Sequence, residues 1–174
     1  MEAIQVAVEA GAGFQRSGSE TLELLCFSSH FKLLLRLQEV SDRMELSPRT
    51  VDALRMVSVN PPSRVDQVQV VRHTPGEVGF SKPVTRKEYY GAVRAVQHLQ
   101  FCDPRCAYSY FIHNAQRLNC ERLLVANGPL LWRVGKDWCL FALGFDCVGP
   151  ALGTEVDSPG VLYHPEDVFL WQLR

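Results

Sequence analysis

Apolar and polar positions alternate near the start of the chain, where Ile4, Val6 and Val8 interleave with Ala3, Gln5, Ala7 and Glu9. That period of two is the pattern of a half-buried strand. Gly11, Gly13, Ser17, Gly18 and Ser19 follow and read as a loop. From Thr21 to Met44 two periods compete. Leu33, Leu37, Val40 and Met44 fit one face of a helix, whereas Leu33, Leu35 and Leu37 fit a strand. Ser47-Pro48 is a helix start, with Ser as N-cap and Pro at the first helical position. Val51, Leu54 and Val57 are its expected buried stripe, and Asn60-Pro61-Pro62-Ser63 stops it. Val65 to Val71 reads as a strand that ends in the loop His73-Thr74-Pro75-Gly76.

Thr85-Arg86-Lys87-Glu88 is a capping box, so a helix is expected from Arg86 to about Gln100, burying Tyr89, Val93, Val96 and Leu99. Asp103-Pro104 can open another helix, and Asn127-Gly128 would close it with a left-handed cap. Leu130 to Val134, the turn Gly135-Lys136-Asp137 and Trp138 to Phe145 read as a hairpin. Residues 149–160 read as a Gly/Pro-containing loop, and Val168 to Leu173 as a short strand or one helical turn. These elements predict an α+β fold, a small antiparallel sheet packed against two or three helices. The expected domain is single, 1–174, with a core over about 20–148 and a C-terminal extension over 149–174.

Composition narrows the class. Apolar residues make up 47% of the 174 and charged residues 21%, enough apolar surface for a core. Eighteen basic against 19 acidic residues leave a net charge of −1 without Lys/Arg runs. A nucleic-acid partner is therefore not expected, because neutralising phosphates dominates that affinity. No window reaches the roughly 18 apolar residues of a membrane helix. Glu2 and Glu9 without a basic run argue against a secretory signal, so the expectation is a cytoplasmic protein. In that setting the six cysteines are expected as free thiols without structural disulfides.

Two constellations could carry chemistry. The first is Asn119-Cys120-Glu121 with His30. A cysteine at a helix start has its pKa lowered by the helix dipole, and a nearby imidazole can hold the thiolate. The strand-like Leu22-Glu23-Leu24-Leu25, then His30-Phe31 and Leu33-Leu34-Leu35, precede Asn119-Cys120-Glu121 by some 90 residues. In order and spacing this resembles the lecithin:retinol acyltransferase-like thiol enzymes, in which a His opens an apolar strand and an Asn-Cys-Glu begins a helix. The resemblance covers about residues 20–128. Phe31 stands where the family has Trp or Tyr, Glu45 is the nearest match to its second His, and Arg122-Leu123 replaces a frequent His-Phe.

The resemblance implies a thiol-dependent acyl hydrolase or acyltransferase acting on an ester or lipid without a cofactor. Cys120 would be the nucleophile, His30 the general base and Glu45 the group that orients His30. The alternative for Cys120 is a buried thiol within one continuous helix from Asp103 to Asn127. The second constellation is His98, Cys102, Cys106 and His113, a donor set that could close a tetrahedral zinc site. Its alternative is a helix–turn–helix corner with two apolar cysteines, the reading under which no metal is expected. His73 and His164 read as loop histidines. Against the enzyme stands a non-catalytic protein-interaction domain, a degenerate relative of the family included, with Trp132 and Trp138 as anchors.

Overall fold

A computed structural model of the chain describes residues 18–41, 46–59, 65–95, 98–118, 122–127, 133–134, 137–146 and 149–174. The fold is α+β, with four α-helices among the described residues and a mixed sheet of eight strands. The strand expected over Ile4 to Val8 lies outside the described residues.

Strand β1 (Glu20–Glu23) pairs antiparallel with β2 (Gln67–His73), Leu22 opposite Val68. Between them the ambiguous segment resolves into helix α1 (His30–Val40). Ser29 caps it, its hydroxyl accepting the Lys32 N–H at 3.3 Å, and the Ser41 N–H closes it on the Leu37 carbonyl at 3.1 Å. The period-four reading wins because Leu33 and Leu37 are fully buried while Leu35 projects outward. The apolar strand expected to open at His30 is therefore a helix. Helix α2 (Pro48–Val59) starts as expected, with the Ser47 hydroxyl accepting the Thr50 N–H at 3.2 Å, and buries Ala53, Leu54 and Val57.

The two-residue strand β3 (Val84–Thr85) leads into α3 (Arg86–Ala95). Its capping box closes both ways, the Thr85 N–H donating to Glu88 Oε2 at 2.8 Å and the Glu88 N–H to Thr85 Oγ1 at 3.4 Å. The helix ends before the expected Gln100, and Leu99–Gln100 form strand β4 instead. Helix α4 (Cys106–Asn114) and a 3-10 turn (Ala115–Arg117) replace the first half of the long helix expected to end at Asn127. The second half is strand β5 (Leu123–Val125). Leu123 to Ala126 are all buried, with Leu123 and Val125 on one face of the sheet and Leu124 and Ala126 on the other. A strand buried on both faces reads as a continuous apolar run, which periodicity cannot separate from a buried helix.

Strands β6 (Arg133–Val134) and β7 (Asp137–Asp146) form the expected hairpin. The segment read as loop is strand β8 (Gly149–Val156), paired with β7 from Asp146–Gly149 to Cys139–Val156. Gly149 begins it at φ +140°, a conformation open to glycine. Strand β9 (Leu162–Tyr163) pairs with β3 as a small ribbon. The last strand, β10 (Val168–Leu173), lies between β2 and β5, antiparallel to one and parallel to the other, and also pairs with β4. Residues 149–174, expected as an extension, thus supply strand β8 beside β7 and the central strand β10. The sheet, expected as small and antiparallel, is mixed, with β10 parallel to β5.

Side-chain alternation along β5, β7 and β10 splits the interior into two cores. Leu123, Val125, Phe141, Leu143 and Leu170 face α1, α2 and α4. Leu124, Leu140, Phe169 and Trp171 face α3 and the ribbon. The architecture is three-layered, with the sheet in the middle. No helix among the described residues is long and apolar enough to cross a membrane.

Candidate functional site

The loop from Leu24 to Ser29 joins β1 to α1 and carries the first chemistry-bearing side chains of the site. The polar anchors at Leu24, Leu25 and Cys26 reach to distant parts of the chain. The Leu24 N–H donates to the Asp66 carbonyl at 2.7 Å and the Leu25 N–H to the Ser109 hydroxyl at 2.9 Å. The Tyr108 hydroxyl donates to the Leu25 carbonyl at 2.9 Å, and Phe27 meets the Tyr108 ring edge-on at 5.8 Å between centroids. Beneath the loop lies Arg105, 1% exposed. Its Nε and Nη2 grip both oxygens of Asp103 at 3.0 Å, Nη2 also donates to the Val65 carbonyl at 2.8 Å, and Nη1 donates to Cys26 Sγ at 3.1 Å. Burial pulls the Arg105 pKa down, and the Asp103 carboxylate and Cys26 sulfur more than offset it. The guanidinium therefore stays charged and holds three segments in one place.

His30 is the first residue of α1. Burial and the Arg55 guanidinium lower its pKa, with Asp52 opposing, so the imidazole is neutral near pH 7. Those charges put the start of α1 within electrostatic reach of Asp52 and Arg55 on α2. Glu45 and Cys120, the other members of the expected triad, lie outside the described residues, as do the neighbours Asn119 and Glu121. Around them the chain is clear: Leu118 is buried, and from Leu123 it is a strand. Among the described residues no helix follows Cys120 in the sequence.

The outer face of α1 presents apolar side chains that the core leaves uncovered. Phe31 is 67% exposed and Leu35, one turn later, 43%. Met56 on α2, next to Arg55, is 49% exposed. Their spacing was visible in the sequence. Phe31 and Leu35 are four apart and fall outside the Leu33/Leu37 stripe, and Phe31 read only as the aromatic that follows His30. Trp132 and the side chain of Trp138, the expected anchors, lie outside what is described.

The alternative metal set does not assemble. Cys102 and Cys106 are buried neighbours, with Cys102 Sγ donating to the Leu170 carbonyl at 3.1 Å, but His98 and His113 are exposed. Among the described residues no three His, Cys, Asp or Glu side chains come together as metal ligands. Burial first, then Cys106, pushes the Cys102 thiol well up, the opposite of a reactive cysteine. Cys26, Cys102, Cys106 and Cys139 carry free thiols, and of these only Cys26 is exposed. His73 corrects a further expectation. It is the last residue of β2 and 4% exposed, not a loop histidine.

Comparison with protein-family models, with curated proteins and with solved structures gave no match to this chain.

Proposed function

We propose that this domain is a protein-interaction module that binds its partner through the outer face of α1. One observation carries the reading: Phe31 projects 67% of its surface into solvent one turn from the half-exposed Leu35. Exposed apolar residues scattered singly are ordinary, but an aromatic and a leucine on one helical row make a surface that a partner can dehydrate. The loop before α1 is pinned through Leu25, Cys26 and Phe27 to α4, so the face is presented without an ordering cost. The anchors thus shift from Trp132 and Trp138 to α1. A cytoplasmic setting fits the free thiols, which persist in reducing compartments.

The test is photo-crosslinking in cells, with a photoreactive phenylalanine analogue in place of Phe31 and, as a control, in place of the exposed Lys87 on α3. The expected outcome is a discrete adduct from position 31 that position 87 does not give. Identical adduct patterns from the two positions, or none from position 31, overturn the reading.

A second reading keeps the thiol acyl hydrolase or acyltransferase, with an ester or lipid substrate. A neutral imidazole at His30 favours it, since only the neutral form can take a proton from Cys120. Cys120 would then outpace Cys26 and Cys139 in iodoacetamide labelling near neutral pH. His30→Ala would slow that labelling selectively, and Glu45→Gln would slow it less. Labelling of Cys120 at the common rate, or only after denaturation, removes this reading.

A further inference from the structure

Resting on the reading of α1 as the binding face, we infer that the partner is an acidic amphipathic helical segment. Helices α1 and α2 carry Lys32, Arg36, Arg49 and Arg55 against Glu39 and Asp52 within their own ranges, in a chain whose overall charge is −1. Both acids are already engaged one turn away on their own helices, Glu39 by Arg36 at 2.7 Å and Asp52 by Arg55 at 3.7 Å. Lys32 has no carboxylate partner among the described residues.

The arrangement on α1 is regular. Residues four apart stack on one face of a helix, so Phe31 and Leu35 form one exposed row and Lys32 and Arg36 the row beside it. A segment with apolar residues on one face and carboxylates alongside would lay its apolar row on Phe31 and Leu35. Its acids would then fall over Lys32 and Arg36. Because Arg36 and Arg55 already spend part of their field on local acids, the gain from the partner's charge lies in steering and register more than in raw affinity. Helix-on-helix docking through anchors at this spacing is a general mode of peptide recognition.

A membrane surface shares the basic and apolar requirements and is the rival occupant. It is disfavoured because an interfacial helix needs a broad apolar face to bury, whereas α1 is 11 residues long and turns Leu33 and Leu37 inward onto its own core.

The experiment uses the full chain and three fluorescein-labelled helical peptides, each about five turns long. The first carries Leu on one face and Glu elsewhere, the second Leu and Lys, the third Ala and Glu. Vesicles of phosphatidylcholine with phosphatidylserine form a separate arm. Saturable anisotropy changes are expected with Leu/Glu, weaker by about tenfold or more with Leu/Lys and with Ala/Glu. Phe31→Ser should cost about tenfold in Leu/Glu affinity. Lys32→Glu should weaken Leu/Glu binding by about fivefold and strengthen Leu/Lys binding, a crossed response that loss of folding cannot produce. Circular dichroism melts of both variants confirm the fold. Equal, Phe31-dependent binding of Leu/Glu and Leu/Lys overturns the acidic partner while leaving α1 as the binding face. Binding that survives Phe31→Ser, or the absence of saturable binding to every peptide, overturns both. Phe31-dependent capture by the anionic vesicles without Leu/Glu binding assigns the face to membrane and overturns the proposal.

Discussion

The two faces of the sheet are filled by different means. On the α3 side the core is aromatic and hydroxyl-linked. Phe169 packs on Tyr89 and Tyr163 at 4.8 and 4.9 Å, Tyr90 meets Trp171 at 5.3 Å, and Phe101 stacks on Trp171 at 5.7 Å. Trp171 Nε1 donates to Tyr89 Oη at 3.1 Å, and that hydroxyl donates to the His73 carbonyl at 3.3 Å. On the other side three helices bring mainly aliphatic residues, with Arg105 and Asp103 as the buried charges. The contrast follows from cover. One ten-residue helix and a two-stranded ribbon must seal the α3 face, so large rings do the filling. Three helices seal the other face with aliphatics, and Phe31 and Leu35 remain outside the seal. A face that closes without its exposed aromatic is free to use it for something else.

The largest effect expected on this contrast comes from the aromatic side. Trp171→Ala removes a side chain that is 1% exposed and leaves the Tyr89 hydroxyl without its donor. The loss should be roughly 3–5 kcal/mol in chemical denaturation. Tyr89→Phe, which keeps the ring and loses only the two hydrogen bonds, should cost about 1 kcal/mol. Comparable losses in the two variants would mean that the hydroxyl links, and not ring packing, hold this face.

On the aliphatic side, Arg105→Met strands the Asp103 carboxylate, whose side chain is 9% exposed. About 3 kcal/mol should be lost. Adding Asp103→Asn should recover part of it, because the uncompensated charge causes the damage rather than the missing contact. A double variant no more stable than the single one would show that Arg105 acts through the Cys26 and Val65 links instead.

The same contrast decides how much was legible in the sequence. Elements whose ends carry their own capping chemistry were readable: Ser47-Pro48 opens α2, and Thr85 with Glu88 opens α3. Elements defined by what lies on both of their faces were not. Leu123 to Ala126 looked helical because each face of β5 is covered by a different core. β8 looked like loop because Gly149, Pro150 and Gly153 have weak strand propensity, and only pairing along β7 makes them part of a strand. The central place of β10 is a tertiary fact that no local pattern contains. At the candidate site His30 was singled out through the family resemblance as the opening of an apolar strand, whereas it opens helix α1 behind the capping Ser29. The Arg105 clamp was not, because its partners Cys26 and Val65 lie 79 and 40 residues away.

A smaller effect should appear with pH. His73 is buried at the edge of the aromatic face, where burial lowers its pKa, the Glu77 carboxylate at 3.9 Å and a bond to Thr74 oppose, and His98 lowers it further. The unfolded chain takes up this proton near pH 6.5, before the folded protein does. The stabilisation from neutral His73 is therefore complete above about pH 6.5 and falls away as the pH drops through the lower folded pKa. His73→Gln should flatten the acid limb of a stability–pH profile. His30, lowered for similar reasons but less buried, should leave a weaker slope of the same sign. An unchanged limb in His73→Gln would place the acid sensitivity elsewhere.

The smallest effect on stability is expected where the largest effect on binding is expected. Phe31→Ser changes a side chain that lies 67% in solvent, on the helical row opposite Leu33 and Leu37. Serine forms helix less well than phenylalanine by only a small margin, and a surface change of this kind shifts stability within about 0.5 kcal/mol. Leu33→Ala, two residues along the same helix, opens a hole in the aliphatic core and should cost roughly 2–5 kcal/mol. The pair separates two uses of one helix. If α1 serves only as a lid on the sheet, denaturation midpoints and peptide binding should fall together in Leu33→Ala, and Phe31→Ser should disturb neither. If α1 is a lid with a binding face on its back, Phe31→Ser weakens peptide binding about tenfold at an unchanged midpoint. A Phe31→Ser midpoint that drops as far as that of Leu33→Ala would mean that Phe31 belongs to the core, and the binding face would have to be sought elsewhere.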